Sequence, residues 1–357
     1  MDFEKVIEYA LQKGVSDIHL SPKVSVFLRR NGKMEPVGKV LSNEEIKKIM
    51  EQILTKKQRE QLERKKQIDF LYKSPHNHRL RGNAFYCNEG LALSFRVIQH
   101  EIPVFAKLGF PEFVRDTVMK ARQGLVLIVG PTGQGKSTTL ASILQERSRN
   151  LTEHILMIED PIEYLIPSSK SIVQQRELNR DVQSFEEGIH GAMREDPDVL
   201  MIGELRDSET MAAALTMAET GHLVFATLHT NNAIQTITRI LDSFSLEQKP
   251  QIRSQLASNL SLVISQRLIP TIEKGNRILA FEVLTMNYAI ANYIRLDKTF
   301  QIPNVIQTDS SGNMIQFEQS LVNLVMAEKI TKEIAEEYAQ DKDQVKSLFE
   351  LNGIGNQ

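Results

Sequence analysis

Tryptophan is absent, and a single cysteine, Cys87, stands in a chain of 357 residues. One thiol excludes an intrachain disulfide and any four-cysteine zinc site, and it suits a reducing compartment. Charge of one sign is also lacking: 45 acidic side chains against 43 basic ones leave a net charge of −2. No overall field draws such a chain to nucleic acid or anionic lipid, so no nucleic-acid partner is expected. No apolar run reaches the about 18 residues that span a bilayer. The start, Met1-Asp2-Phe3-Glu4-Lys5, has no charged-then-apolar export signal. These absences point to a cytoplasmic protein with peripheral membrane association only.

What is present is a phosphate loop. Gly130-Pro131-Thr132-Gly133-Gln134-Gly135-Lys136-Ser137 reads as a complete G-x-x-x-x-G-K-S pattern, directly after the apolar run Leu125-Val126-Leu127-Ile128-Val129. Its glycines let successive N–H groups turn inward onto phosphate oxygens, Lys136 supplies a cation, and Ser137 supplies a hydroxyl for Mg²⁺. Thr138 opens a stretch of helical composition to Glu146, so the phosphates would rest on a helix N-terminus. The ligand expected from this segment is ATP with Mg²⁺.

The length allows two domains. Residues 1–100 read as an α+β unit: a short helix, strands at Asp17–Leu20 and Val24–Arg30, a hairpin turn at Asn31-Gly32, two helices, and three further strands. Pro103 and Pro111 mark an interdomain linker, placed at 101–111. From 112 to 357 apolar strands alternate with helices, at Leu125–Val129, Ile155–Ile158, Val199–Ile202 and Leu223–Thr227. Short β-branched strands in that alternation predict an α/β fold with a parallel sheet covered on both faces and ligands at its carboxyl ends. The final hundred residues read as mainly helical, with a polar turn at Asp309-Ser310-Ser311-Gly312.

Three segments bring reactive side chains to those strand ends. Val199–Ile202 runs into Gly203-Glu204-Leu205-Arg206-Asp207 and delivers Glu204, which can hold Mg²⁺ through water or polarise the attacking water. Gly203 occupies the position where many NTPases carry an aspartate. Glu159-Asp160-Pro161-Ile162-Glu163 packs three carboxylates into five residues, a concentration that asks for a cation nearby. His222 and His229 lie at the two ends of a strand, about 23 Å apart if extended, so one metal cannot take both. His229, at the carboxyl end, is the candidate to touch a γ-phosphate or its water. In the first domain Arg79, Arg81 and Arg96 lie on strands, and one of them could neutralise charge on a transferred phosphoryl group, an effect worth ~10³–10⁵ in rate.

Taken together, four blocks resemble the secretion and pilus ATPase superfamily, and within it the PilT-type retraction branch. They are the phosphate loop, the acidic box Ile158–Tyr164, the Gly203–Asp207 block and the histidine box Ala218–Asn231. Val15-Ser16-Asp17-Ile18-His19-Leu20 extends the likeness toward the N-terminus and Gln301–Gln307 toward the C-terminus. The resemblance implies a PAS-like α+β N-terminal domain joined to a RecA-like P-loop ATPase domain, assembled as a homohexamer that drives pilus retraction and docks on an inner-membrane platform protein of the PilC kind. It implies nucleotide contacts from Gly130 through Thr138, a Walker B role for Glu204, water activation by Glu163, and metal contact from Ser137 and Glu204. His222 and His229 fall on histidine-box positions; Arg81 and Arg96 fall where the N-terminal domain approaches nucleotide. Extension and type II secretion relatives carry a four-cysteine insert that a chain with one cysteine lacks. Two departures stand out. The retraction signature Ala-Ile-Arg-Asn-Leu-Ile-Arg-Glu is altered to Ala289-Ile290-Ala291-Asn292-Tyr293-Ile294-Arg295-Leu296. Gln134 replaces the usual serine and is expected to act chiefly through its backbone.

Overall fold

The computed structural model describes residues 2–354 apart from Asn31, Asn77, Gln99, His100, Lys274 and Ser310. Parts of the Asn31-Gly32 turn and of the Asp309–Gly312 turn therefore lie outside the described residues. The chain divides into two compact units, Met1–Glu101 and Ile102–Gln357.

In the first unit, β1 (Asp17–Leu20), β2 (Val26–Arg30), β3 (Lys33–Val37), β4 (Gln67–Lys73), β5 (Arg79–Cys87) and β6 (Gly90–Val97) form one antiparallel sheet in the order β3-β2-β1-β6-β5-β4. Side chains alternate across it: Ile18 and Leu20 are buried while Asp17 and His19 face outward. The helices Phe3–Gln12 and Asn43–Ile53 send Phe3, Ile7, Ile46 and Ile49 into that core. Capping boxes at Ser42 and Thr55 fix where the second and third helices begin. Cys87 ends β5 in an exposed turn, its Sγ 3.3 Å from the Gly90 carbonyl.

The second unit is built on β7 (Gly124–Val129), β8 (His154–Glu159), β9 (Ile172–Glu177), β10 (Val199–Ile202), β11 (Leu223–Leu228), β12 (Leu260–Pro270) and β13 (Arg277–Thr285), ordered β13-β12-β7-β11-β10-β8-β9. All pairs are parallel except β12 with β13. Every residue of β7, β10 and β11 is buried, as strands covered on both faces require. The expectation of a mainly helical final hundred residues needs correction. Residues 260–285 form the β12–β13 hairpin, and helices resume only at Tyr288–Arg295. Leu262, Val263 and Ile264 sit beside β7, where burial outweighs helical propensity. β9 also escaped the sequence reading: its burial alternates at a sheet edge, so it shows no apolar run. From Ile102 onward the segment read as a linker belongs to the second unit. Phe105 is buried and stacks on Phe110, which packs against Phe281, and Ser142 Oγ donates to the Pro103 carbonyl at 2.8 Å. Among the described residues no helix is long and apolar enough to cross a membrane.

Two buried charges tie this unit together. Arg147, on the helix Lys136–Asn150, is fully buried and grips Glu153 through Nη2 at 2.6 Å and Nε at 3.0 Å. Its remaining donors satisfy the Val118 and Ala121 carbonyls at the end of the helix Glu112–Lys120. At the other side of the unit Glu282 of β13 accepts from Ala233 N–H at 2.7 Å, at the start of the helix Ala233–Asp242. Burial, chiefly, pushes its carboxyl up to about 7, and the neighbouring Glu318 adds to the shift.

Arg147→Met should lower unfolding free energy by about 3 kcal/mol, because it takes the donor from two carbonyls and leaves the buried Glu153 carboxylate to Arg122 Nη1 alone, 2.7 Å away. A lower urea midpoint at unchanged slope is the measurement. For Glu282, a carboxyl raised from 4.5 to about 7 keeps its proton in the folded chain after the unfolded chain has lost it. The stability it contributes is complete below about pH 4.5 and is lost as pH rises through about 7. Glu282→Gln should match the parent chain at pH 4.5 and exceed it at pH 8 by on the order of 2 kcal/mol. Chemical denaturation at the two pH values reads this directly.

Candidate functional site

The parallel register sets the carboxyl ends of β7, β11, β10 and β8 side by side: Val129 pairs with Leu228, Ile202 with Ala226, and Ile202 with Ile158. Beyond Val129 the chain curls back through Gly130, Gly133 and Gly135, at φ values of 149°, 77° and 83°. Gly130 is obligatory on a second count, since a Cβ there would lie 2.4 Å from the Gln266 carbonyl. Gly135 then caps the helix Lys136–Asn150, whose first turn holds the half-buried Ser137 and Thr138.

Lys136 is the centre of the constellation. Its buried Nζ donates to the carbonyls of Gly130 at 2.7 Å and Pro131 at 3.0 Å, and lies 3.4 Å from His229 Nδ1. Burial lowers its pKa, against the raising fields of Glu204 and Glu163. An ammonium has donors only, so His229 Nδ1 must accept and its Nε2 must carry the proton. That Nε2 is 3.2 Å from Glu204 Oε1, while Thr132 Oγ1 is 3.3 Å from Nδ1. Burial first and then the Lys136 charge hold His229 below its ordinary pKa, which agrees with a neutral ring. Glu204 Oε2 takes Arg206 Nε at 2.7 Å, and Arg206 Nη1 reaches Asp160 at 3.3 Å. A line of alternating charge thus runs from Lys136 to Asp160 across four strand ends.

Gly203 stands in close quarters where many NTPases carry an aspartate. A Cβ at 203 would press on Glu159 Cα and the Ile158 carbonyl at 3.3 Å. The acidic box folds over the start of the phosphate-loop helix: Tyr164 OH meets Thr138 Oγ1 at 2.9 Å, and Gln175 Nε2 donates both to the Tyr164 carbonyl and to Glu159. Glu159 itself is buried and its carboxyl is pushed up to about 7, mainly by desolvation. Glu163 is exposed, and its charge is felt at Lys136.

Of the residues expected at the site, the structure brings Thr132, Lys136, His229 and Glu204 into mutual contact. His222 is at the amino end of β11, opposite the loop, in a polar cleft of about 420 Å³ with Arg122, Glu153, Asp198 and Thr220. Arg81 and Arg96 are exposed cross-strand partners in the first unit, where Arg96 pairs with Asp17 at 3.1 Å. One glutamine was missed, and a second does more than was expected of it. Gln266 of β12 is fully buried, donates through Nε2 to the Gln134 carbonyl at 2.7 Å and accepts from Thr139 Oγ1 at 2.9 Å. Gln134, expected to act chiefly through its backbone, also accepts from Leu268 N–H with its side chain at 2.7 Å. The polar triplet Ser265-Gln266-Arg267, set between the apolar Leu262–Ile264 and Leu268-Ile269, was the available signal for Gln266.

Among the described residues no cluster of three or more His, Cys, Asp or Glu could hold a metal ion. The altered segment Ala289–Leu296 forms the helix Tyr288–Arg295, with Ala291 buried in the core and Leu296 more than half exposed.

The family model for type II/IV secretion system proteins matches residues 1–352. The chain is 41% identical over 320 residues to the uncharacterized protein YggR of Escherichia coli, covering 90% of this chain and 97% of that one. It is 41% identical over 341 residues to the type IV pilus retractation ATPase PilT of Pseudomonas aeruginosa, covering 95% and 98%. A crystal structure of the pilus retraction motor PilT with bound ADP superposes with a TM-score of 0.91 at 40% identity, over 97% of this chain and 99% of that one. A match over nearly the full length and identities of this size place the chain in the type II/IV secretion system protein family.

Proposed function

We propose that the chain is the subunit of a homohexameric ATPase that splits ATP to ADP and phosphate and uses the release to power type IV pilus retraction. The observation that carries this reading is the Lys136–His229–Glu204 contact behind a glycine-curled loop, with distances of 3.4 and 3.2 Å. Loop amides from Gly130 to Thr138 and the N-terminus of a 15-residue helix suit phosphate oxygens. Lys136 neutralises them, and His229, neutral, fixes the Glu204 carboxylate by donating to it.

With so few protein donors, a cation would be held by Ser137, by Glu204 through water, and by the phosphates. That is the habit of Mg²⁺, which keeps several of its waters. Held there, it would offset the charge of the phosphate oxygens. Glu163, exposed at the loop mouth and electrically coupled to Lys136, is the residue to orient the attacking water. Arg81, Arg96 and His222, which lie outside this constellation, are offered to a neighbouring copy in the ring. The family likeness to PilT supports the direction, a site at the inner face of the cell membrane, and docking on a PilC-like platform protein.

Purified chain should turn over ATP with Mg²⁺, and Lys136→Ala and Glu204→Ala should each cut kcat by ~10²–10³. Unchanged turnover in both variants would overturn the site. Deleting the gene should leave cells with excess immobile surface filaments; bald cells would indicate extension instead.

A further inference from the structure

β7 stops at Val129, opposite Ser265, but β12 continues to Pro270. On the side that β7 leaves, residues 266–268 therefore run beside the phosphate loop, while β13 pairs with them on the other side. A loop whose N–H groups turn inward toward phosphate must turn carbonyls outward, and each of those needs a donor. Gln266 meets this demand from a fully buried position: Nε2 donates to the Gln134 carbonyl at 2.7 Å, and Oε1 accepts from Thr139 Oγ1 at 2.9 Å. One carboxamide thus joins the loop to the helix that follows it. The second bond runs the opposite way, from Leu268 N–H to Gln134 Oε1 at 2.7 Å. Between them the Gln266 carbonyl closes on Gly130, leaving no space for a side chain.

We propose that Gln134 and Gln266 are positioning residues, a reciprocal pair of carboxamides that holds the phosphate loop in its receiving curl before nucleotide binds. This rests on the nucleotide reading above and names what shapes that same site. Neither side chain touches the reacting atoms; both act through the direction of the loop amides. Such preorganisation favours substrate and transition state equally, so its loss raises KM and spares kcat.

Gln266→Met and Gln134→Ala test it in the full chain. Gln266→Met should raise the Kd for ADP and the KM for ATP about tenfold, equivalent to ~1.4 kcal/mol, and Gln134→Ala about threefold. In both, kcat should stay within about twofold. Amide exchange across Gly130–Lys136 should speed up in the nucleotide-free variants. A merely structural role would lower kcat through a smaller folded fraction at unchanged KM, and that result overturns the assignment. So would parental Kd, KM and exchange rates in both variants. If the unaltered chain fails to bind ADP, the nucleotide reading falls first and the assignment with it.

Discussion

A buried ammonium must find acceptors or lose its proton, and the second unit is organised around meeting that demand for Lys136. The Gly130 and Pro131 carbonyls take two of its protons and His229 faces the third. Because lysine only donates, the imidazole has no choice of tautomer. Its proton points to Glu204, whose other oxygen is claimed by Arg206. Four strands that share no sequence neighbourhood are linked through two cations, Lys136 and Arg206, and the parallel register makes this possible by ending them at the same level.

What could be read in the sequence follows from how each element is covered. β7, β10 and β11 are buried on both faces, so they show as unbroken apolar runs and their residues fell where expected. Glu204 and His229 were legible for the same reason: a polar residue straight after such a run lies at a strand end. β9 is an edge strand with only one of its six residues fully buried, and its Gln-Gln-Arg stretch resembles a loop. β12 hides its meaning differently, since Gln266 is polar inside an apolar stretch and its partner lies 132 residues away. Spacing within one segment carries no trace of such a pairing. The tie between Tyr164 and Thr138 was invisible on the same ground.

The altered helix Tyr288–Arg295 shows how a family pattern can shift without disturbing the fold. Ile290, Ala291 and Ile294 turn inward together, so a small apolar residue at 291 completes a buried stripe. Arg295 remains at the surface within 3.4 Å of Ser258. The nucleotide constellation draws on none of these residues.

Cys87 gives the chain a practical property. As the one thiol in the sequence, at an exposed turn of the first unit, it offers a single attachment point for a maleimide dye or spin label. A reporter placed there needs no cysteine-free background. The native polypeptide could thus be labelled with one fluorophore per chain.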